Sequence, residues 1–178
     1  MGIVIGGMAI SLDGFVEDQE GSTARLYPDM DALHETETLK EQIATTGAVV
    51  MGRKTFAMGD PDWYAGNYEF QAPIFVVTHH PPEKTPKQDD KLTFTFVTDG
   101  VASAIRQAKA AAGERNVVIV GGASTLRQCL QAGLVDELQM AVAPVVLGGG
   151  KALFDAATAE GLRLEKVRVL DELDWTEI

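Results

Sequence analysis

Apolar residues in this chain come in short β-branched bursts, separated by stretches where they recur every three or four positions. Residues 3–10 are apolar with no helical period and predict a buried first strand. Ser11-Leu12-Asp13-Gly14 reads as a turn, with Gly14 free to take positive φ. A polar loop over 17–29 precedes an amphipathic helix from Met30 to about Thr45, in which Met30, Leu33, Leu39 and Ile43 share a face and Gly47 marks the end. Ala48-Val49-Val50-Met51 predicts a second buried strand, and Gly52-Arg53-Lys54-Thr55 a short helix straight after it. Residues 59–72 read as an irregular loop, 73–78 as a third strand, 84–91 as a charged loop and 93–97 as a fourth strand.

Val101 to Ala112 is alanine-rich, with Val101, Ile105 and Ala108 on one face and Gly113 as its stop. Residues 116–120 predict a fifth strand, 124–132 a helix and 136–142 a sixth strand. Pro144 to Gly150 is turn-rich. The alternation over 162–169 predicts an antiparallel strand near an edge, and 175–178 begins another. Strand and helix alternate until about residue 142, and strands dominate after it. That order predicts a single α/β domain over residues 1–178, with a mostly parallel central sheet, helices on both faces and antiparallel strands at the C-terminal side.

At 178 residues, 46% hydrophobic and 23% charged, the chain suits one globular core. A formal net charge of −11 argues against a nucleic-acid surface, which needs a local excess of Lys and Arg. The first apolar run stops at Asp13, too short to span a bilayer, so a cytoplasmic protein is expected. A lone cysteine, Cys129, sits beside Leu126 and Leu130 and reads as a buried inert thiol.

The chemistry gathers at strand ends. Val117-Val118-Ile119-Val120 stops at Gly121-Gly122 and passes directly into Ala123-Ser124-Thr125-Leu126. Glycines expose backbone N–H groups, and the helix start aims further unpaired N–H groups at the same spot, which suits a phosphate or pyrophosphate. Met51-Gly52-Arg53-Lys54-Thr55 and Val77-Thr78-His79 end two other strands with cations and hydroxyls, and ligands of open α/β sheets bind beyond the carboxyl ends of strands. Each junction alone is no more than a helix cap; together they point to a ligand bearing two phosphate groups.

Four stretches carry a family resemblance: Met8-Ala9-Ile10-Ser11-Leu12-Asp13-Gly14, Val50-Met51-Gly52-Arg53-Lys54-Thr55, Ile119-Val120-Gly121-Gly122-Ala123-Ser124 and Ala143-Pro144-Val145-Val146-Leu147-Gly148. In content and order the set resembles the dihydrofolate reductase superfamily, in the bacterial branch that includes the reductase domain of riboflavin biosynthesis. The resemblance implies NADPH as cofactor. Gly52, Arg53, Lys54 and Thr55 would sit by the adenosine and its 2′-phosphate, with Thr78 and His79 opposite. Gly121, Gly122, Ala123, Ser124 and Thr125 would hold the pyrophosphate, with the Gly121–Gly122 peptide often cis. Ala9, Ile10 and Gly14 would lie near the nicotinamide. It also implies a homodimer and the reduction of a small heterocycle, ribosylaminopyrimidine or pterin-like; a nucleotide-binding module without reductase chemistry is the alternative.

For a proton donor, the family's pattern has a carboxylate on the helix before Met-Gly-Arg. Counting back from Met51 reaches Thr36, flanked by Glu35 and Glu37. Glu37 and Asp13 are therefore the candidate catalytic carboxylates, Asp13 with the alternative reading of a turn residue bonding its own backbone. Gly148-Gly149-Gly150-Lys151 lacks the Ser or Thr of a phosphate-binding loop. His34, His79 and His80 are too scattered to predict a metal site. Trp63 and Tyr64 either line a substrate pocket or belong to a surface loop over the core.

Overall fold

The computed structural model describes residues 2–27, 29–172 and 175–178, without the side chains of Glu172 and Glu177. In chain order the elements are β1 (Val4–Ser11), β2 (Phe15–Glu17), α1 (Met30–His34), α2 (Glu37–Thr45), β3 (Thr46–Gly52), α3 (Arg53–Phe56), α4 (Tyr64–Asn67) and β4 (Ile74–Val77). There follow β5 (Phe94–Val97), α5 (Val101–Ala112), β6 (Asn116–Val120), α6 (Ala123–Gln131), β7 (Glu137–Ala143), β8 (Lys151–Ala152), α7 (Ala156–Ala159), β9 (Leu170–Glu172) and β10 (Trp175–Glu177). The fold is mixed α/β with a mostly parallel central sheet and some antiparallel strands. Among the described residues no helix is long and apolar enough to cross a membrane.

The chain packs as two compact units. The first combines the residues up to Gly6 with Ile43–Glu137. In it the strands lie in the order β5-β4-β3-β6-β1, and the β5–β4, β4–β3 and β3–β6 pairs are parallel. Parallel strands covered by helices must be apolar on both faces. Every residue of β3 is buried, and Ile74, Val76, Ile119 and Leu126 are sealed from solvent. Each such side chain contributes roughly 1.5–3 kcal/mol by burial. Helix α5 lays Val101, Ala104, Ile105, Ala108 and Ala112 on that core.

Gly47 is not a helix end but the second residue of β3. A Cβ there would stand 2.8 Å from the Arg115 Cβ and 2.9 Å from the Ala112 Cα, so the glycine admits the end of α5 to the strand.

The second unit combines Gly7–Gln42 with Leu138–Ile178. Its strands run β1-β7-β10-β9, with β10 antiparallel to both neighbours, and β2 pairs antiparallel with β8 in a separate ribbon. Ala9, Leu26, Ala143 and Trp175 form its core, and the Trp175 indole donates to the Leu26 carbonyl at 3.0 Å. The helix expected over 30–45 is two helices. The Thr36 hydroxyl donates to the Leu33 carbonyl at 2.8 Å and accepts from the Leu39 N–H at 3.3 Å, so it closes α1 and caps α2. The strand expected over 162–169 is not formed. Its alternation is real, but among the described residues no strand pairs with it, and Leu164 and Val167 are exposed.

Candidate functional site

Two junctions of the first unit meet. At the end of β3, Gly52 has φ −82° and ψ 158°, and α3 begins at the next residue. At the end of β6 the chain reverses through Gly121 and Gly122, at φ 66° and 78°, and α6 begins at Ala123. Two successive residues at positive φ are strained for any side chain but glycine. Among the described residues no peptide is cis, so the cis Gly121–Gly122 bond expected from the family resemblance is not present. The two left-handed glycines make the reversal with a trans bond.

Threonine side chains fill the space these glycines leave. A Cβ added at Gly52 would stand 2.6 Å from the Thr125 hydroxyl, and one at Gly121 would stand 2.9 Å from the Thr55 hydroxyl. At Gly122 it would meet Thr125 at 3.3 Å and Thr55 at 3.5 Å. Gly52, Thr55, Gly121, Gly122 and Thr125 therefore form one cradle.

Among the described residues neither threonine hydroxyl has a hydrogen-bond partner, although Thr125 is only 6% exposed. Among the described residues no side-chain polar atom sealed from solvent lacks a partner, so the Thr125 oxygen must retain a solvent-facing opening. The first N–H groups of α6, which no side chain caps, join these two hydroxyls as donors. Ser124 is exposed, and its carbonyl and hydroxyl both accept from the Gln128 amide at 3.2 Å. Ala123 is buried under the helix start.

The other expected nucleotide residues of this unit divide into free and occupied. Arg53 and Lys54 are exposed and have no carboxylate partner among the described residues. His79 is exposed. Thr78 is buried, and its hydroxyl donates to the His80 carbonyl at 3.0 Å and accepts from the His80 N–H at 3.1 Å. Its hydrogen-bonding capacity goes to a local turn.

Tyr64 is buried between Phe56, Tyr68 and Phe94, and donates to the Phe56 carbonyl at 3.2 Å; burial pushes its phenol up. Trp63 beside it is half-exposed. Cys129 is sealed in α6, and burial pushes its thiol up to about 12.

In the second unit Ala9 is buried, Ile10 is half-buried and Gly14 has φ 85°. Asp13 is exposed and heavily engaged. One carboxylate oxygen accepts from the Ser11 hydroxyl at 2.6 Å and the Leu147 N–H at 3.0 Å, and the other accepts from the Gly148 N–H at 2.7 Å. The Ser11 hydroxyl, followed by the two backbone N–H groups, lowers its pKa to about 2. A carboxylate so held accepts hydrogen bonds and cannot serve as an acid near neutral pH. Asp13 sits in the Ser11–Gly14 turn, but two of these three donors, Leu147 and Gly148, are far away in sequence.

The other acid candidate fares no better. Glu37 is exposed at the first position of α2, and Glu35 is exposed and paired with Lys40 at 3.1 Å. Thr36 between them is the buried residue. The break between α1 and α2 therefore buries Thr36 and leaves both carboxylates exposed, which removes Glu37 from an apolar pocket. The contact between Asp13 and the glycine loop was missed in the sequence; the Gly148-Gly149-Gly150 run was its visible trace. Among the described residues no cluster of His, Cys, Asp or Glu could hold a metal ion.

Comparison with known proteins gives a consistent result. Residues 3–173 match the sequence model of the family described as RibD C-terminal domain. The chain is 27% identical over 164 residues to "Uncharacterized protein YyaP" of Bacillus subtilis (strain 168), covering 83% of this chain and 77% of that protein. A putative riboflavin biosynthesis protein from Shewanella sp. PV-4 superposes with a TM-score of 0.76 at 25% identity, covering 98% of this chain and 95% of that one. Dihydrofolate reductase from Enterococcus faecalis, solved with NADP(H), shares the fold at a TM-score of 0.57 and 15% identity, covering 98% of this chain and 92% of its own.

Proposed function

The chain belongs to the RibD C-terminal domain family, and from that membership we propose that it is a reductase using NADPH to reduce a small heterocycle of the ribosylaminopyrimidine or pterin-like class. The observation that carries this reading is the cradle of Gly52, Gly121 and Gly122 with the unpartnered hydroxyls of Thr55 and Thr125. A diphosphate suits that donor set: two hydroxyls and the first N–H groups of α6. Arg53 and Lys54, exposed and unpaired, suit the 2′-phosphate that distinguishes NADPH from NADH. NADPH would supply the hydride when bound. The chain's own residues hold the diphosphate and orient it; by family resemblance Ala9, Ile10 and Gly14 flank the nicotinamide.

A second reading has its own observation. Asp13 is consumed as an acceptor, and Glu35 and Glu37 face outward, so none of the three supplies a buried acid. A nucleotide-binding module of the same fold, without reductase chemistry, accounts for that arrangement. A cytoplasmic homodimer without nucleic-acid partners completes the proposal, its association to be read by light scattering. The deciding experiment titrates NADPH and NADH into the purified protein, then follows NADPH absorbance with a panel of pterins and aminopyrimidines. Tight NADPH binding with turnover of one heterocycle supports the reductase; tight binding without turnover across the panel supports the module; equal or absent affinity for the two nucleotides refutes the site.

A further inference from the structure

We propose that Asp13 is a positioning residue, an anionic bracket that seats the Leu147–Gly150 loop on the Ser11–Phe15 turn and makes the two loops open as one unit. Three donors converge on this one exposed carboxylate. The Ser11 hydroxyl is fully buried, donates to one Asp13 oxygen at 2.6 Å and accepts from the Phe15 N–H at 3.0 Å. The Leu147 N–H shares that oxygen at 3.0 Å, and the Gly148 N–H takes the other at 2.7 Å. Ionised carboxylates make the stronger class of hydrogen bond, and this one stays ionised across the range in which proteins work.

The rest of the assembly continues the same seam. The Leu12 N–H donates to the Val145 carbonyl and the Leu153 N–H to the Gly14 carbonyl, at 2.9 and 3.0 Å. Phe15 and Glu17 of β2 pair with Ala152 and Lys151 of β8. Between these contacts lies Gly150, at φ 122°, where an added Cβ would stand 2.0 Å from the Glu17 carbonyl oxygen. Gly149 and Gly150 are thus accounted for, since both lie directly on residues 17–19 and a side chain there would hold the loops apart, whereas Gly148 has open space around it and a φ of 72°. The consequence for chemistry rests on the reductase reading, which sets Gly14, inside the bracketed turn, beside the nicotinamide.

Hydrogen exchange on the whole protein tests the bracket. Asp13→Ala removes all three bonds; the amides of Phe15, Leu147, Gly148 and Leu153 should exchange faster together, by about tenfold or more. Asp13→Asn keeps a carbonyl oxygen for Ser11 and Leu147 but turns an NH2 toward Gly148. The Gly148 amide alone should then lose protection. Gly150→Ala should release the same set as Asp13→Ala without touching the carboxylate, with Trp175 fluorescence confirming a folded second unit.

If Asp13→Ala alters only Leu147 and Gly148, with Phe15 and Leu153 within about twofold of wild type, the loops do not move as one and the proposal is overturned. NADPH and adenosine 2′,5′-bisphosphate provide the functional readout. Asp13→Ala should weaken NADPH by about tenfold and leave the nicotinamide-free nucleotide unchanged. Equal loss of both would overturn the positioning role. Wild-type protein that binds neither would refute the reductase reading, while the exchange data would still decide the bracket.

Discussion

Gly52→Ala separates the nucleotide cradle from the stability of the fold. Gly52 lies at φ −82° and ψ 158°, where alanine is relaxed, so the substitution carries no backbone penalty. The whole effect falls on the new methyl, 2.6 Å from the Thr125 hydroxyl where about 3.4 Å is ordinary contact. Thr125 is 6% exposed and β-branched, so it has few rotamers to escape into. Overpacking of this kind costs about 1–3 kcal/mol, and the lower entropy of the unfolded alanine chain returns about 0.4–1 kcal/mol. A net loss of about 1–2 kcal/mol should lower the Tm by roughly 2–8 °C for a chain of this size.

The methyl also displaces the Thr125 hydroxyl, one of the donors proposed for the diphosphate. A hydrogen bond to a charged group contributes about 1.5–3 kcal/mol, so the NADPH dissociation constant should rise roughly 10- to 100-fold. Adding Thr125→Ala leaves the nearest Thr125 atom, its Cβ, at 3.8 Å. The double variant should therefore be more stable than the sum of the two single effects, while its affinity stays low. Thermal denaturation and calorimetric titration of the four proteins in this cycle give both quantities. NADPH affinity in Gly52→Ala equal to wild type, alongside the expected fall in Tm, would show that the nucleotide does not use this cradle.

Arg53→Ala should weaken NADPH about tenfold and leave NADH unchanged, the low end of the charged-group range because the side chain is exposed; parallel titrations check it, and equal losses would remove Arg53 from the 2′-phosphate. Dihydrofolate turnover should stay far below the ordinary enzyme range of about 1–1000 per second, unchanged in Glu35→Gln and Glu37→Gln, because both carboxylates point outward; a normal rate abolished by either variant would reverse that reading. The Asp13 carboxyl is depressed from 3.8 to about 2 in the folded protein, so its contribution is fully present above pH 4 and is lost as pH falls through 2. The acid-unfolding curves of wild type and Asp13→Asn should therefore converge near pH 2, and parallel curves would contradict the shift. Cys129, with its thiol raised to about 12, should resist alkylation at pH 8 in the native protein and react at once in denaturant.

Features written in neighbouring residues were legible before any coordinates. The alanine run 101–112 with its stop at Gly113 forms the helix over those same residues, since propensity and termination both act within a few positions. Of the runs expected as strands over 73–78, 93–97 and 116–120, residues 74–77, 94–97 and 116–120 form parallel strands. The centres of β4 and β6 are apolar because both their faces are buried, while β5 at the end of the strand order leaves Thr95 and Phe96 half-buried. The cradle residues could be named too, because a strand ending in glycine before a helix is a local arrangement with a local purpose. Their convergence could not: that Gly52 and Thr125 share one space depends on β3 and β6 being neighbours in the sheet.

What tertiary structure alone decided are contacts that cross long stretches of chain. Thr36 is the local exception: its hydroxyl bonds Leu33 and Leu39 and divides one periodic stretch into two helices, a cap that the unbroken apolar spacing hides. Gly47, placed like a helix terminator, is a strand residue because α5 ends against it. Alternation over 162–169 is a strand signal without a strand, because a strand needs a partner to bond and no sequence pattern supplies one. Asp13 shows the distinction most plainly: its turn is local and was readable, but its bonds to Leu147 and Gly148 join loops more than 130 residues apart. Propensity and periodicity act through the chain's own neighbours, whereas a hydrogen bond between distant loops exists only once folding has closed the distance between them.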